Sequence, residues 1–203
     1  MLRQERTVYC WKGYKCGMDV VPRLRGRFGR VYHYAELCAS TQRLLSADND
    51  EGAVAVTEEQ SEGRGRLGRS WEAPPRTSVL VSVTLRPPVA AARLPELSLV
   101  AGGAVAEAIA EVTGIEPTIK FPNDVLVGGR KVAGVLAESS EGRVVLGIGV
   151  NVSQTKGELP ERAENPATSL SLEGASVDRV ELLAAILERL QEHYDRWVTS
   201  VDT

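Results

Sequence analysis

No apolar run in this chain approaches the ~20 residues that a membrane-crossing helix needs. Histidine is nearly missing: His33 and His193 are the only two, and they form no pair for metal binding or acid–base work. Cysteine is scarce as well. Cys10, Cys16 and Cys38 are odd in number and have no metal-like spacing, which excludes a disulfide scaffold or a zinc site and points to reduced thiols. The opening residues MLRQERTVYCWKGYKC lack the apolar stretch of a secretory signal. No internal repeat is visible. These absences predict a soluble globular protein of the cytoplasm, with no membrane partner.

What is present is ordinary in bulk and uneven in detail. The 203 residues are 43% hydrophobic and 25% charged, enough for one sizeable domain. The net charge is −3, yet residues 1–30 hold eight Lys or Arg against Glu5 and Asp19. Such a head suggests either an anionic partner or a disordered, loosely docked terminus. It shows no helix-turn-helix pattern, so DNA is not expected as a partner. Residues 1–26 are set apart on composition as a basic N-terminal extension, and the folded domain is expected over 27–203. Met18 leaves room for residues 1–17 to be an upstream addition.

Alternation and turn signals order the rest. GRVYHYAEL (29–37), GAVAVTEE (52–59), TSVLVSVTL (77–85) and RVVLGIGVNV (143–152) read as strands. Gly128-Gly129 between two apolar runs is a hairpin signal. TQRLLSAD (41–48), capped at Ser40-Thr41, reads as a short helix. Residues 94–114 and 178–198 read as long ones, with Asp178 as a cap. Gly102 and Gly103 inside the first long helix suggest a close packing contact. Hairpins outnumber βαβ alternation, so the expected fold is α+β: a mixed, largely antiparallel sheet with helices packed on one face.

One segment stands out. EGRGRLGRSW (62–71) puts three glycines and three arginines into ten residues. GRGRLG matches a dinucleotide fingerprint literally, and GRGRLGRS is one substitution from a P-loop. Both motifs work by aiming a helix N-terminus at phosphate. Here Pro74 and Pro75 follow at once and preclude that helix. The arginines repel one another, and the glycines give the loop little reason to stay folded. An anion would relieve the repulsion and order the segment, because guanidinium forks match carboxylate and phosphate. Trp71 adds a flat surface suited to stacking on a base.

Three more stretches are candidates. KFPNDVLV (120–127) sets Asn123 and Asp124 at a strand boundary, where Asp124 can orient a ligand or hold Mg²⁺, or merely close an Asx turn. In GGRKVAGVLAE (128–138), Lys131 faces apolar neighbours, either snorkelling to solvent or pairing with an anion. In GIGVNV (147–152), Asn151 is a lone polar residue, and the glycines suit a close approach to the backbone.

Together and in this order, these segments resemble the catalytic domain of biotin–protein ligases over roughly residues 27–200. EQSEGRGRLGRSW is similar to that family's adenylate-binding loop, and RKVAGVLAE to its lysine-bearing strand. GIGVNV is similar to its Gly-Ile-Gly-Ile-Asn-Val strand. KFPNDVLV departs from Lys-Trp-Pro-Asn-Asp at Phe121, and ASTQ (39–42) departs from Asp-Ser-Thr-Asn at Ala39 and Gln42. The resemblance implies a class II aminoacyl-tRNA synthetase-like fold. It also implies a two-step reaction: biotin and ATP give biotinyl-5′-AMP, and a lysine of a biotin carboxyl carrier domain then takes the biotinyl group. By the same carry-over, Ser40, Thr41, Gln42, Gln60, Arg64, Gly65, Arg66 and Lys131 would bind biotin. Arg64, Arg66, Arg69, Trp71, Asn123, Asp124 and Asn151 would bind the nucleotide. Arg66, Lys131 and Asp124 would act in catalysis, Asp124 with Mg²⁺. The sequence before the matched region leaves no room for the N-terminal DNA-binding domain of the family's repressor-type members, so a monofunctional type is expected; the family's small C-terminal β-barrel is expected to be absent as well. A homodimer is left open. A lipoate- or other acyl-adenylating ligase and a non-catalytic biotin- or adenylate-binding module are the competing readings.

Overall fold

In a computed structural model that describes residues 7–10, 17–18, 20–140, 142–161 and 166–200, eight strands form one sheet. They are Thr7–Cys10 (β1), Val31–Cys38 (β2), Val54–Gln60 (β3), Ser78–Leu85 (β4), Thr118–Lys120 (β5), Asp124–Val127 (β6), Arg130–Ser140 (β7) and Arg143–Asn151 (β8). Their spatial order is β1-β2-β3-β4-β8-β7-β6-β5. β1, β2 and β3 run parallel, and every later pairing is antiparallel. Between them lie the short helix Thr41–Leu44 (α1) and two long ones, Leu97–Thr113 (α2) and Arg179–Thr199 (α3). The expected mixed, largely antiparallel sheet is therefore observed. No helix among the described residues is long and apolar enough to cross a membrane.

The period-2 pattern decides which face does what, because alternate side chains of a strand point to opposite faces. Val79, Val81, Val83 and Leu85 of β4, with Val144, Leu146, Ile148 and Val150 of β8, join the main core. There they meet Ile109 of α2 and Leu183, Ile186, Leu187 and Leu190 of α3, all buried. Both long helices thus pack on one face, and burying each Leu or Ile contributes roughly 1.5–3 kcal/mol. The alternate residues of β4 and β8 form the other face. There Leu80 pairs with Gly149, and Ser82 with Gly147. The short α1 lies on that side, where Leu45 packs with Ala53, Ala55 and Val145.

Local chemistry fixes the boundaries. Asp178 caps α3, its carboxylate accepting from the backbone N–H of Val180 (2.8 Å) and Glu181 (2.9 Å). Gly114 ends α2 at φ 71°. A Cβ at Gly103 would sit 3.3 Å from the His193 ring, so the glycine lets α2 and α3 close together. Gly128 and Gly129 take φ 55° and 78°, both positive as a two-residue hairpin loop of the primed type requires.

Three expectations need correction. The helix read over 41–48 spans only Thr41–Leu44, and Ser40 makes no side-chain cap bond. The Thr41 hydroxyl is instead paired with Ser82 (2.7 Å), tying the helix start to the sheet. The segment set apart as residues 1–26 is in part core: Met18 and Val20 are fully buried, and Tyr32 donates its hydroxyl to the Met18 carbonyl at 2.6 Å. Nor are all the cysteines the reduced thiols expected from their number and spacing. Cys10 is disulfide-bonded and Cys38 is free; Cys16 lies outside the described residues. Burial pushes the Cys38 thiol pKa up, which keeps it protonated and unreactive.

Candidate functional site: two clefts on the glycine face

The glycine-arginine segment is a small hairpin rather than a floppy loop. Trp71 N–H donates to the Gly63 carbonyl (2.9 Å), and Gly65 N–H donates to the Arg69 carbonyl (2.7 Å). Leu67 (φ 58°) and Gly68 (φ 72°) turn the tip. A Cβ on Gly63 would collide with the Trp71 carbonyl oxygen. Glycine there serves close approach and not flexibility, which corrects the expectation that the segment waits for an anion to order it.

The protein's own acceptors hold the cations. Arg64 forms a two-pronged pair with Glu138 of β7, at 2.9 and 3.2 Å. Arg66 donates to Asn123 Oδ1 at 3.0 Å. Lys131 Nζ lies 2.7 Å from Asp124 Oδ1. With side chains only 17% and 15% exposed, this pair is less solvated than that of Arg64 with Glu138; Lys131 lines the cleft and Asp124 stands behind it. Lys131 therefore does not snorkel; it has an anion. A ligand phosphate or carboxylate would enter a site whose charges are already balanced and aimed.

Trp71 lies flat on a patch of sheet that has no side chains. A Cβ at Gly149 would be 2.5 Å from its Cε2, and one at Gly134 would be 3.0 Å from its Cζ3. These glycines are cross-strand neighbours on β8 and β7. Lys131 Nζ sits 5.6 Å from the indole centroid. The indole N–H is buried and has no hydrogen-bond partner.

On one side of Trp71 opens a cleft of about 470 Å³. Its walls bring together Ser40, Thr41, Gln42, Gln60, Arg64, Gly65, Arg66, Trp71, Asn123 and Lys131, ten of the residues singled out from the sequence. At its polar end Thr41 N–H donates to Gln60 Oε1 (2.9 Å). Gln42 lies along the sheet over Gly147 and donates to the Val145 (3.3 Å) and Leu136 (3.4 Å) carbonyls, so its extra length runs along the floor. A second cleft of about 380 Å³ opens beyond Trp71, lined by Ser70, Trp71, Glu72, Lys131, Asn151, Pro160 and Ala167. Trp71 and Lys131 are common to both.

Two expected residues are structurally engaged. Asn123 donates to the Val135 carbonyl (2.9 Å) while accepting from Arg66, so it closes the turn and holds the hairpin at once. Asn151, 5% exposed, donates to the Thr168 carbonyl (2.9 Å) and accepts from Gln154 (3.1 Å). Arg69 lines neither cleft. Sequence reasoning missed Glu138, Ser82, Glu72 and Gln154. Glu138 ends a stretch already singled out, but nothing in its spacing marks it as the partner of Arg64, 74 residues away.

Residues 34–154 match the biotin/lipoate A/B protein ligase family, 121 of the 203 residues. The chain belongs to that family. It is 36% identical over 179 residues to the bifunctional ligase/repressor BirA of Bacillus subtilis, covering 83% of this chain and 54% of the relative. It is 40% identical over 162 residues to the biotin–[acetyl-CoA-carboxylase] ligase of Mycobacterium tuberculosis, covering 76% and 59%. The chain thus spans little more than half the length of these relatives. Among solved structures, the Aquifex aeolicus biotin protein ligase in complex with biotin and ATP superposes with a TM-score of 0.73 at 37% identity, over 82% of this chain and 71% of that one. The sheet and its helices are accordingly the class II aminoacyl-tRNA synthetase-like fold of this family.

Proposed function

We propose that this chain activates biotin with ATP to biotinyl-5′-AMP and transfers the biotinyl group to a lysine of a biotin carboxyl carrier domain. The observation that carries the reading is the pair of clefts sharing Lys131 and Trp71. One cleft has a polar end of Ser40, Thr41, Gln42 and Gln60 and a cationic mouth. The other continues past an aromatic wall. A ring with hydrogen-bonding groups suits the first, and a nucleotide suits the second. The polar end also favours a ureido ring over a plain acyl chain, whose burial would leave those groups without partners.

The chemistry follows from placement and charge. A biotin carboxylate oxygen attacks the α-phosphorus, and pyrophosphate leaves. The two reactants are both anions, so cations must hold them at contact distance. Lys131 stands where the two clefts meet. Arg64 and Arg66 close the mouth from the hairpin, whose position over the site shields the mixed anhydride from water. In the second step the carrier amine attacks the carbonyl carbon, AMP leaves and an amide forms.

Asp124 is a single carboxylate already facing Lys131. No group of three or more His, Cys, Asp or Glu that could hold a metal exists among the described residues. That donor set suits a Mg²⁺ brought in on the triphosphate oxygens, with Asp124 as one protein ligand, and not a resident metal. Bound in this way, Mg²⁺ would neutralise charge on the departing pyrophosphate.

The test is pyrophosphate release from ATP in the presence of biotin and the absence of any carrier. Release that depends on biotin is expected. Release with lipoate in its place would move the reading to another acyl substrate, and binding of biotin without release would leave a non-catalytic module.

A further inference from the structure

Plain strand alternation would turn Lys131 away from the clefts. Ala133 of β7 lies in the main core, whereas Gly134 and Leu136 line the first cleft. Two residues before Ala133, a side chain should point to the helix face as well. Yet Lys131 lines both clefts, and a Cβ at Gly134 would sit 3.1 Å from its Nζ. A bulge makes the change of face. Val125 pairs with Ala133 and Leu126 with Lys131, which leaves Val132 as the extra residue. At that point another piece of chain runs parallel beside β7, bridging Ala167 to Lys131. The Lys131 N–H donates to the Pro166 carbonyl, and the Lys131 carbonyl accepts from the Thr168 N–H, both at 2.8 Å.

Resting on the reading that Lys131 serves adenylation, we infer that Glu173 is a positioning residue for it, clasping residues 166–168 to the bulge that turns Lys131 into the clefts. One Glu173 carboxylate oxygen accepts from the Thr168 hydroxyl, and the other accepts from the Arg130 guanidinium at 2.7 Å. Thr168 belongs to the bridging piece of chain, and Arg130 directly precedes Lys131. A single carboxylate therefore ties together the two stretches whose backbones meet at Lys131. Its side chain is only 9% exposed, so water competes little for these charge-assisted bonds. The turn that carries Glu173 is itself fixed: Leu170 is fully buried, and its carbonyl accepts from the Ala175 N–H at 2.9 Å. Glu173 lines neither cleft, so it acts on the chemistry through Lys131. Without the clasp the bulge is free to relax, and a slip of one residue moves a side chain to the other face.

The experiment is a double-mutant cycle. It reads single-turnover rates of biotinyl-5′-AMP formation, and of transfer from supplied biotinyl-5′-AMP to a carrier lysine. The proteins are the parent, Glu173→Ala, Lys131→Met and the double variant, with melting temperatures as a check on folding. Glu173→Ala is expected to slow adenylate formation by roughly tenfold, with the same ratio between the two steps as Lys131→Met. In the Lys131→Met background it should slow formation no further, because the two residues act as one unit. Glu173→Gln, which keeps an oxygen for Thr168, should recover part of the loss. Arg130 is half exposed, so Arg130→Ala removes the other arm without touching the core and decides the matter where Glu173→Ala does not fold. Its loss should be smaller and have the same ratio. Undiminished adenylate formation in Glu173→Ala would overturn the inference, as would a further tenfold loss in the Lys131→Met background, which marks a purely structural role. No adenylate formed by the parent would overturn the reading of the site itself.

Discussion

The two faces of one sheet, built from the same strands, have opposite fates. In β8 the residues Val144, Leu146, Ile148 and Val150 fill the helix face, while the positions between them include Gly147 and Gly149. One face is closed by branched side chains that α2 and α3 cover. The other is cleared of side chains where Trp71, Gln42 and the two clefts need the backbone itself as a floor. Removing a Cβ here makes space, whereas on the helix face it would make a cavity. Charge follows the same division. On the helix side Arg189 reaches Glu107, Glu111 and Glu192 at the margin between α2 and α3. On the glycine face Arg64, Arg66 and Lys131 sit over the clefts with acceptors that a ligand can join or displace.

Substitutions on each face should therefore separate stability from chemistry. The largest effect is expected on the helix face. Leu190→Ala should lower the free energy of unfolding by about 2–5 kcal/mol in denaturant melts, while the molecules that remain folded keep their affinity for biotin. Lys131→Met should slow biotinyl-5′-AMP formation by about a hundredfold and slow transfer from supplied biotinyl-5′-AMP much less. The carboxylate charge that Lys131 faces is gone once the anhydride exists, so single-turnover rates of the two half-reactions check the asymmetry. Equal losses would mean that Lys131 only holds biotin. Arg66→Ala should weaken retention of the adenylate by about 1.5–3 kcal/mol, read as faster release on dilution, with little change in melting temperature. The smallest effect belongs to Glu138→Gln. Its pair with Arg64 is half exposed, so the expected cost is about 0.2–1 kcal/mol, seen as faster proteolysis of the hairpin in ligand-free protein. A loss in adenylation as large as that of Lys131→Met would place Glu138 in the chemistry instead.

Local pattern made most of the frame legible. Alternation marked the strands around residues 31–38, 54–60, 78–85 and 143–151, and Asp178 and Gly128-Gly129 acted as their chemistry dictates. The site was legible through segments similar to those of a known family, and ten of the residues they contain meet in one cleft. What local pattern could not show was tertiary pairing. Arg64, Asp124, Lys131 and Thr41 could be singled out from the sequence, but the pairings of Glu138 with Arg64, Asp124 with Lys131 and Ser82 with Thr41 exist only once the fold brings them together. Glycine misled for a related reason. In the sequence Gly63 signals freedom, but in the fold the Trp71 carbonyl occupies the space where its side chain would be. Composition misled at the head of the chain, where Met18 and Val20 enter the core from a basic segment.

The account turns on the cleared face being the place where biotin meets ATP. Gly149→Val probes that most directly, because its side chain would occupy the position now held by the Trp71 indole. The measurement is the amount of labelled biotinyl-5′-AMP that co-elutes with the protein after incubation with biotin and ATP, beside a thermal melt of the same sample. The parent is expected to retain adenylate. The variant is expected to retain none while still melting cooperatively, with a loss of stability of about 1–3 kcal/mol. Undiminished adenylate on Gly149→Val, or none on the parent, would contradict the account.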